Sequence, residues 1–249
     1  MNWMGIFLSV GLAVATVAAG GDGVSRERFE YSISWRGIPV GNTVVENDGL
    51  TTGTSNRVVR CIRVVSRPWL KLFYPVHDEI ECVREEAGGS FRYSVHKVIH
   101  EAGFHQDDVL TVEGGGGTAV WTDTLNNRQV RYPVPVNVKD YLSFLFDLRF
   151  AEFPQGAPRE YQLVMDDGVR RLLITGACTG VVESVWGPVA ARKLEIKSLS
   201  SQLFVRNVPR AVWISQEHSV MMVMEAGTKL GLVRAELQKW DVDGRPCVP

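Results

Sequence analysis

Between residues 29 and 239, apolar and polar side chains alternate with a period of two over many short stretches. In FEYSISW, Phe29, Tyr31, Ile33 and Trp35 fall on one side and Glu30, Ser32 and Ser34 on the other, the pattern of a half-buried strand. GIPVG at 37–41 turns the chain, with Pro39 fixing φ, and 42–46 returns as the second arm of a hairpin. The same pattern predicts strands at 57–65, 77–85, 90–100, 107–113, 119–122, 129–132, 160–166, 170–175, 181–185, 190–198, 211–215, 220–225 and 231–239. Asn47-Asp48-Gly49, the glycines at 114–117, Asn126-Asn127, Asp166-Asp167-Gly168 and Asn207-Val208-Pro209 supply turn chemistry between them. The fold class that follows is mainly β, an antiparallel meander.

Residues 138–150, VKDYLSFLFDLRF, break the alternation and predict one internal helix. Tyr141, Leu142, Phe144, Leu145, Phe146 and Leu148 cover most of its circumference, so it is expected to be buried, with Asn137 or Asp140 capping its first turn. A long meander must curl, split or close, because open edges invite unwanted pairing. The expected architecture is a curled sheet or open half-barrel with the helix in its concavity. That helix either plugs the sheet as core, or its Tyr141, Phe144, Leu145, Leu148 and Arg149 line a cavity for an acyl chain or apolar peptide. A second apolar segment, PWLKLFYP at 68–75, is bracketed by prolines. Its Trp69, Leu70 and Phe73 suit a lid over the open side, a patch touching a membrane, or a short helix at the edge of the core. Arg67 and Lys71 flank it and would suit an anionic head group. A cavity lined by Phe144, Leu145 and Leu148 would favour an internal ligand, whereas a filled core with an exposed aromatic loop would favour a docking role.

Residues 1–19, MNWMGIFLSVGLAVATVAA, carry no charged side chain and end in small residues, which predicts a cleaved signal peptide. A retained anchor is the competing reading, although Gly5, Ser9, Gly11 and Thr16 interrupt the apolar run. The remaining chain, residues 20–249, is read as a single β domain. With 27 basic against 28 acidic residues and no long basic cluster, nucleic acid is a poor partner. Cys61, Cys82, Cys178 and Cys247 allow three disulfide pairings; Cys61–Cys82 and Cys178–Cys247 are the natural ones, with buried free thiols as the alternative. Three histidines, His96, His100 and His105, stand near Glu101, Asp107 and Asp108, so a metal site is conceivable, though no spacing specifies one. Ser143 and Ser215 lie outside any Gly-x-Ser-x-Gly elbow, and the glycine run lacks the Lys-Ser/Thr of a phosphate loop. No cofactor is implied.

Five blocks carry a resemblance: FEYSISWRGIPVGN, SRPWLKLFYPVHDEIE, KDYLSFLFDLR, VWGPVAARKLEI and AVWISQEHSVMMVMEAGTKLGLVRAEL. Together they resemble the exported family of uncharacterised proteins called DUF3108. The family's opening motif is met by Tyr31, Ile33, Trp35, Gly37, Ile38 and Gly41, its central motif by Asp140, Leu142, Ser143 and Arg149, and its closing motif by Val212, Trp213, Ile214, Ser215, Thr228 and Gly231. Glu217 stands near the position of a family acid, and Phe144–Phe146 is more apolar than the family pattern. The resemblance implies a periplasmic envelope protein with a half-barrel similar to lipoprotein carriers, and no agreed activity. The expectation is non-catalytic binding of a lipid, lipoprotein or other apolar envelope component. The alternative is an envelope assembly factor that grips a protein partner through 68–75 or a free sheet edge. A metal-dependent enzyme is the third reading.

Overall fold

Strand pairing follows chain order almost throughout, as short linkers and alternating patterns require. In this computed structural model the described residues are 23–52, 55–87, 90–113, 117–136, 138–153, 157–166, 168–199, 209–228 and 231–249. The leader at 1–19 and the turns predicted at 114–116 and 207–208 lie outside them. The first half comprises β1 (Gly23–Trp35), β2 (Ile38–Thr52), β3 (Ser55–Ser66), a one-turn helix α1 (Pro68–Lys71), β4 (Val76–Ala87), β5 (Ser90–Glu101), β6 (Phe104–Glu113), β7 (Thr118–Asp123) and β8 (Arg128–Pro133). After α2 (Tyr141–Leu148) come β9 (Arg159–Met165), β10 (Gly168–Ser184), β11 (Gly187–Ser198), β12 (Ala211–Ser215), β13 (Met221–Thr228), β14 (Gly231–Val242) and β15 (Arg245–Pro246).

All these strands form one antiparallel sheet in the order β8-β7-β6-β5-β4-β3-β2-β1-β14-β13-β12-β11-β10-β9, with β15 on β14. The pairing of β1 with β14 puts the two ends of the chain mid-sheet and makes β8 and β9, neighbours in sequence, its two edges. The sheet is therefore a barrel left open at one seam. The chain that joins the edges crosses this seam and carries α2. There Lys139 makes an isolated parallel bridge with Leu163, its N–H bonding the Gln162 carbonyl at 2.9 Å and its carbonyl accepting from the Val164 N–H at 2.9 Å. That bridge covers part of the exposed β9 edge. Across the seam, the Tyr132 hydroxyl donates to the Met165 carbonyl.

The alternation maps onto the sheet as expected: Phe29, Tyr31 and Ile33 are buried on the concave face, which packs around α2. Four expectations need correction. The turn expected at 37–41 is only Arg36-Gly37, and Pro39 is already paired with Ser34 in β2. The 170–175 and 181–185 segments are one strand, β10, whose polar middle is held by continuous pairing to β11 through a bulge between Gly176 and Cys178. Asn47-Asp48-Gly49 is not a turn; β1 and β3 pair with it from both sides, and backbone pairing overrides its turn propensity. No Cys61–Cys82 disulfide forms. Cys61 stands opposite Glu81 and Cys82 opposite Arg60, so a one-residue offset sends the two thiols to opposite faces of the sheet, and all four cysteines are free.

Gly41 has a packing reason for its place. A Cβ there would lie 2.9 Å from the Val65 carbonyl oxygen on the neighbouring strand.

Candidate functional site

Helix α2 is fixed at both ends by polar side chains. Asp140 is its N-cap, the Oδ1 oxygen accepting from the Ser143 N–H at 2.9 Å. Arg60, projecting inward from β3, donates to Ser143 Oγ at 2.8 Å and to Asn47 Oδ1 at 3.2 Å, while its guanidinium lies 4.3 Å from the Phe146 ring centroid. At the other end Arg149 is almost fully buried and donates through Nε to the Ser219 carbonyl. Its guanidinium lies between the Phe29 and Phe150 rings, 5.4 and 5.3 Å away, and 3.9 Å from Glu27. Burial lowers Arg149 to about 10, so it stays charged at neutral pH, and burial raises Glu27 to about 7 against the pull of Arg149. Arg192 of β11 donates to the carbonyls of Ala151 and Arg149 at 2.7 and 2.5 Å, satisfying the end of the helix.

Between these clamps Leu142, Phe144, Leu145, Phe146 and Leu148 are buried. Tyr141 is half-buried, and Phe144 meets Tyr161 edge-on at 5.3 Å. A cavity of about 70 Å3 remains beside the start of α2, lined by Ile80, Leu110, Leu142 and Val164, with Lys97 and Asp166 at its polar side. This space lies beside a helix whose Leu142, Phe144, Leu145, Phe146 and Leu148 already fill the concavity. Displacing α2 would expose five apolar side chains worth roughly 1.5–3 kcal/mol each, against about 0.8 kcal/mol per methylene of incoming chain. A ten-carbon chain would supply about 8 kcal/mol, the bottom of the range of about 7.5–15 kcal/mol for those five side chains, and would leave Arg60 and Arg149 without their partners.

The other apolar segment sits at the rim formed by the β3–β4, β1–β2 and β5–β6 connections. Pro68 starts α1, where a missing N–H is harmless. Leu70 and Tyr74 turn toward the core, and the Tyr74 hydroxyl donates to Glu101 at 3.5 Å. Trp69 is half exposed and its indole N–H donates to the Pro39 carbonyl at 3.2 Å, tying α1 to the start of β2. Leu72 and Phe73 project into solvent, 83% and 80% exposed. The residues expected to form one site thus occupy two places. Tyr141, Phe144, Leu145, Leu148 and Arg149 are inside, and Trp69 and Phe73 are on the rim with Leu70 beneath them.

The histidines group differently from the expected trio. His77, His100 and His105 stand directly opposite one another on β4, β5 and β6, while His96 is further along β5 and pairs with Asp107 at 2.9 Å. Among the described residues no three His, Cys, Asp or Glu side chains are placed to hold a metal ion. The two-residue Ala102-Gly103 turn, with φ of 40° and 95°, puts His100 against His105; that turn was the readable signal, and the pairing of His77 with His100 had none. Behind this row, on the inner face, Asp78 and Glu101 are buried together, and burial raises them to about 7 and about 8.

Neither Ser143, which accepts from Arg60, nor Ser215, which accepts from the Val220 N–H at 3.0 Å, is bonded to a histidine. Burial pushes the Cys61 thiol up to about 12 and Cys82 well above its usual range, which makes both poor thiolates. No helix among the described residues is long and apolar enough to cross a membrane.

Comparisons with known proteins bear on family and fold. A family described as "Protein of unknown function (DUF3108)" matches residues 30–238. The crystal structure of a beta-barrel-like protein with a domain of unknown function, DUF1849, from Brucella abortus superposes with a TM-score of 0.51 at 8% identity, covering 94% of this chain and 99% of that one. No curated protein matches the chain.

Proposed function

Because the chain belongs to the DUF3108 family of proteins of unknown function, no activity is inherited with membership, and we propose one from the site: a non-catalytic envelope docking factor that engages an apolar partner surface through the rim loop at 68–75. The observation that carries this reading is the contrast between a concavity filled by α2 and a loop that leaves Leu72 and Phe73 in solvent. Burying those two side chains on a partner would contribute roughly 1.5–3 kcal/mol each, a strong local incentive to dock. The reading includes export, with residues 1–19 removed as a signal peptide and the rest working in the periplasm.

The test is fractionation of cells expressing the full chain, comparing wild type with a Leu72→Ser/Phe73→Ser variant. The wild type is expected to fractionate with the envelope and the variant with soluble proteins. Equal distribution of the two, both folded by circular dichroism, would sink the reading.

A second reading, carriage of a lipid or lipoprotein acyl chain inside the sheet, is favoured by one observation. The 70 Å3 cavity beside Leu142 is an apolar starting point from which α2 could be displaced.

A further inference from the structure

Next to the aromatic loop the rim holds a pocket of about 160 Å3, with Lys71 on one side and the imidazoles of His77, His100 and His105 on its wall. Strand register aligns the three rings on the outer face, and His100 and His105 meet edge-on with centroids 5.0 Å apart. Ser66 also lines the pocket; its Oγ accepts from the Val76 N–H at 3.1 Å and keeps its own hydrogen to donate.

The charges that could neutralise this wall are engaged elsewhere. Glu79, the next outward residue of β4, pairs with Arg63 at 3.2 Å, and Asp107, the next outward residue of β6, pairs with His96. Asp78 and Glu101 face inward, and burial favours their protonated forms. Among the described residues, Lys71, His77, His100 and His105 form no ion pair. From α1, β4, β5 and β6, then, the pocket receives one ammonium and three imidazoles, and β3 contributes only Val65 and Ser66.

Lys71 belongs both to this pocket and to the loop that exposes Leu72 and Phe73, and Ile38 at the start of the adjacent β2 is half exposed on the same rim. Donors for an anion thus lie beside an apolar tip. This is the arrangement that meets an anionic lipid surface, where phosphate sits just above the acyl layer and aromatic side chains settle at the boundary.

We propose that the docking partner is an anionic phospholipid surface, with the lipid phosphate held by Lys71, His77, His100 and His105 while Trp69, Leu72 and Phe73 enter the interface. The inference rests on the rim-loop docking reading and names its partner.

The experiment is co-sedimentation of the purified chain with vesicles of phosphatidylcholine alone or mixed with phosphatidylglycerol. Wild type is expected to bind the anionic vesicles roughly tenfold more tightly than the neutral ones, a preference that His100→Gln/His105→Gln largely removes while leaving a weaker, composition-independent attachment. Leu72→Ser/Phe73→Ser is expected to lose attachment to both vesicles. If the histidine variant keeps the full anionic preference, the phosphate pocket is wrong although the rim docking reading survives. If wild type binds neither vesicle, the membrane assignment falls, and cross-linking from position 73 to a protein would put a protein partner in its place. Complete displacement by millimolar inorganic phosphate with no vesicle attachment would identify a free-phosphate site and overturn the lipid. All variants alter exposed side chains, and unchanged thermal melts establish that they fold.

Discussion

Arg149 is a charge held almost without water, and its neighbours explain how it is tolerated. A carbonyl, two aromatic faces and the Glu27 carboxylate share its field. Removing the guanidinium leaves Glu27 buried opposite an empty space. Arg149→Met is expected to destabilise the fold by about 3 kcal/mol in urea titration, and a loss below about 1 kcal/mol would show the residue to be dispensable for stability. Asp78 and Glu101 make a pH prediction. Both carboxyls are raised in the folded protein, to about 7 and about 8, from about 4 when unfolded. The stability they contribute is complete below about pH 4 and is lost as pH rises through 7 and 8. The melting temperature should therefore be higher near pH 5 than near pH 8.5 by on the order of 5 °C, and an Asp78→Asn/Glu101→Gln variant should reduce the difference to the part that Glu27, also raised to about 7, contributes. A wild-type melt that is highest at the alkaline end would contradict this. None of it was legible in sequence, since an acid in an alternating strand looks the same whether its face is wet or dry. Arg149 was legible as part of a motif and as a residue that could line a cavity, but its partners were not, because they come from β1 and from the connection between β12 and β13, distant in the chain.

At the scale of elements, strands were the readable part because most have one dry face, and a period of two records it. Where the alternation thins, as in the middle of β10 or at the Asn-Asp-Gly inside β2, the pairing of neighbouring strands decides, and no local pattern reports it. The cysteines show the same limit: consecutive strands suggest a bridge, yet a one-residue offset in register forbids it. Helix α2 was legible in position and burial, and Asp140, one of the two expected caps, is its N-cap, while Asn137 lies outside the described residues. Asp140→Ala should cost about 1 kcal/mol through the lost bond to the Ser143 N–H, whereas Asp140→Asn should recover most of it. Equal loss in both variants, measured by chemical denaturation, would mean that the charge rather than the cap matters.

For the whole molecule the decisive fact is where the sheet opens. Joining β1 to β14 closes the back and leaves the only seam of the described sheet between β8 and β9, where the linking chain folds inward and fills the concavity. An open half-barrel with an internal helix was expected from a long meander and one apolar segment, and the likeness to the Brucella abortus protein is a likeness of that fold. What the sequence left undecided was whether the helix lines a cavity or occupies it, because that depends on the fit of side chains from both halves of the sheet. The structure has α2 packed, so the account assigns the work to the rim. The most direct test is a native mass spectrum of the protein purified without detergent. The account predicts the bare polypeptide mass, with no lipid carried inside the sheet. Stoichiometric co-purified lipid that disappears in a folded Leu145→Arg variant would contradict it and return the function to the interior.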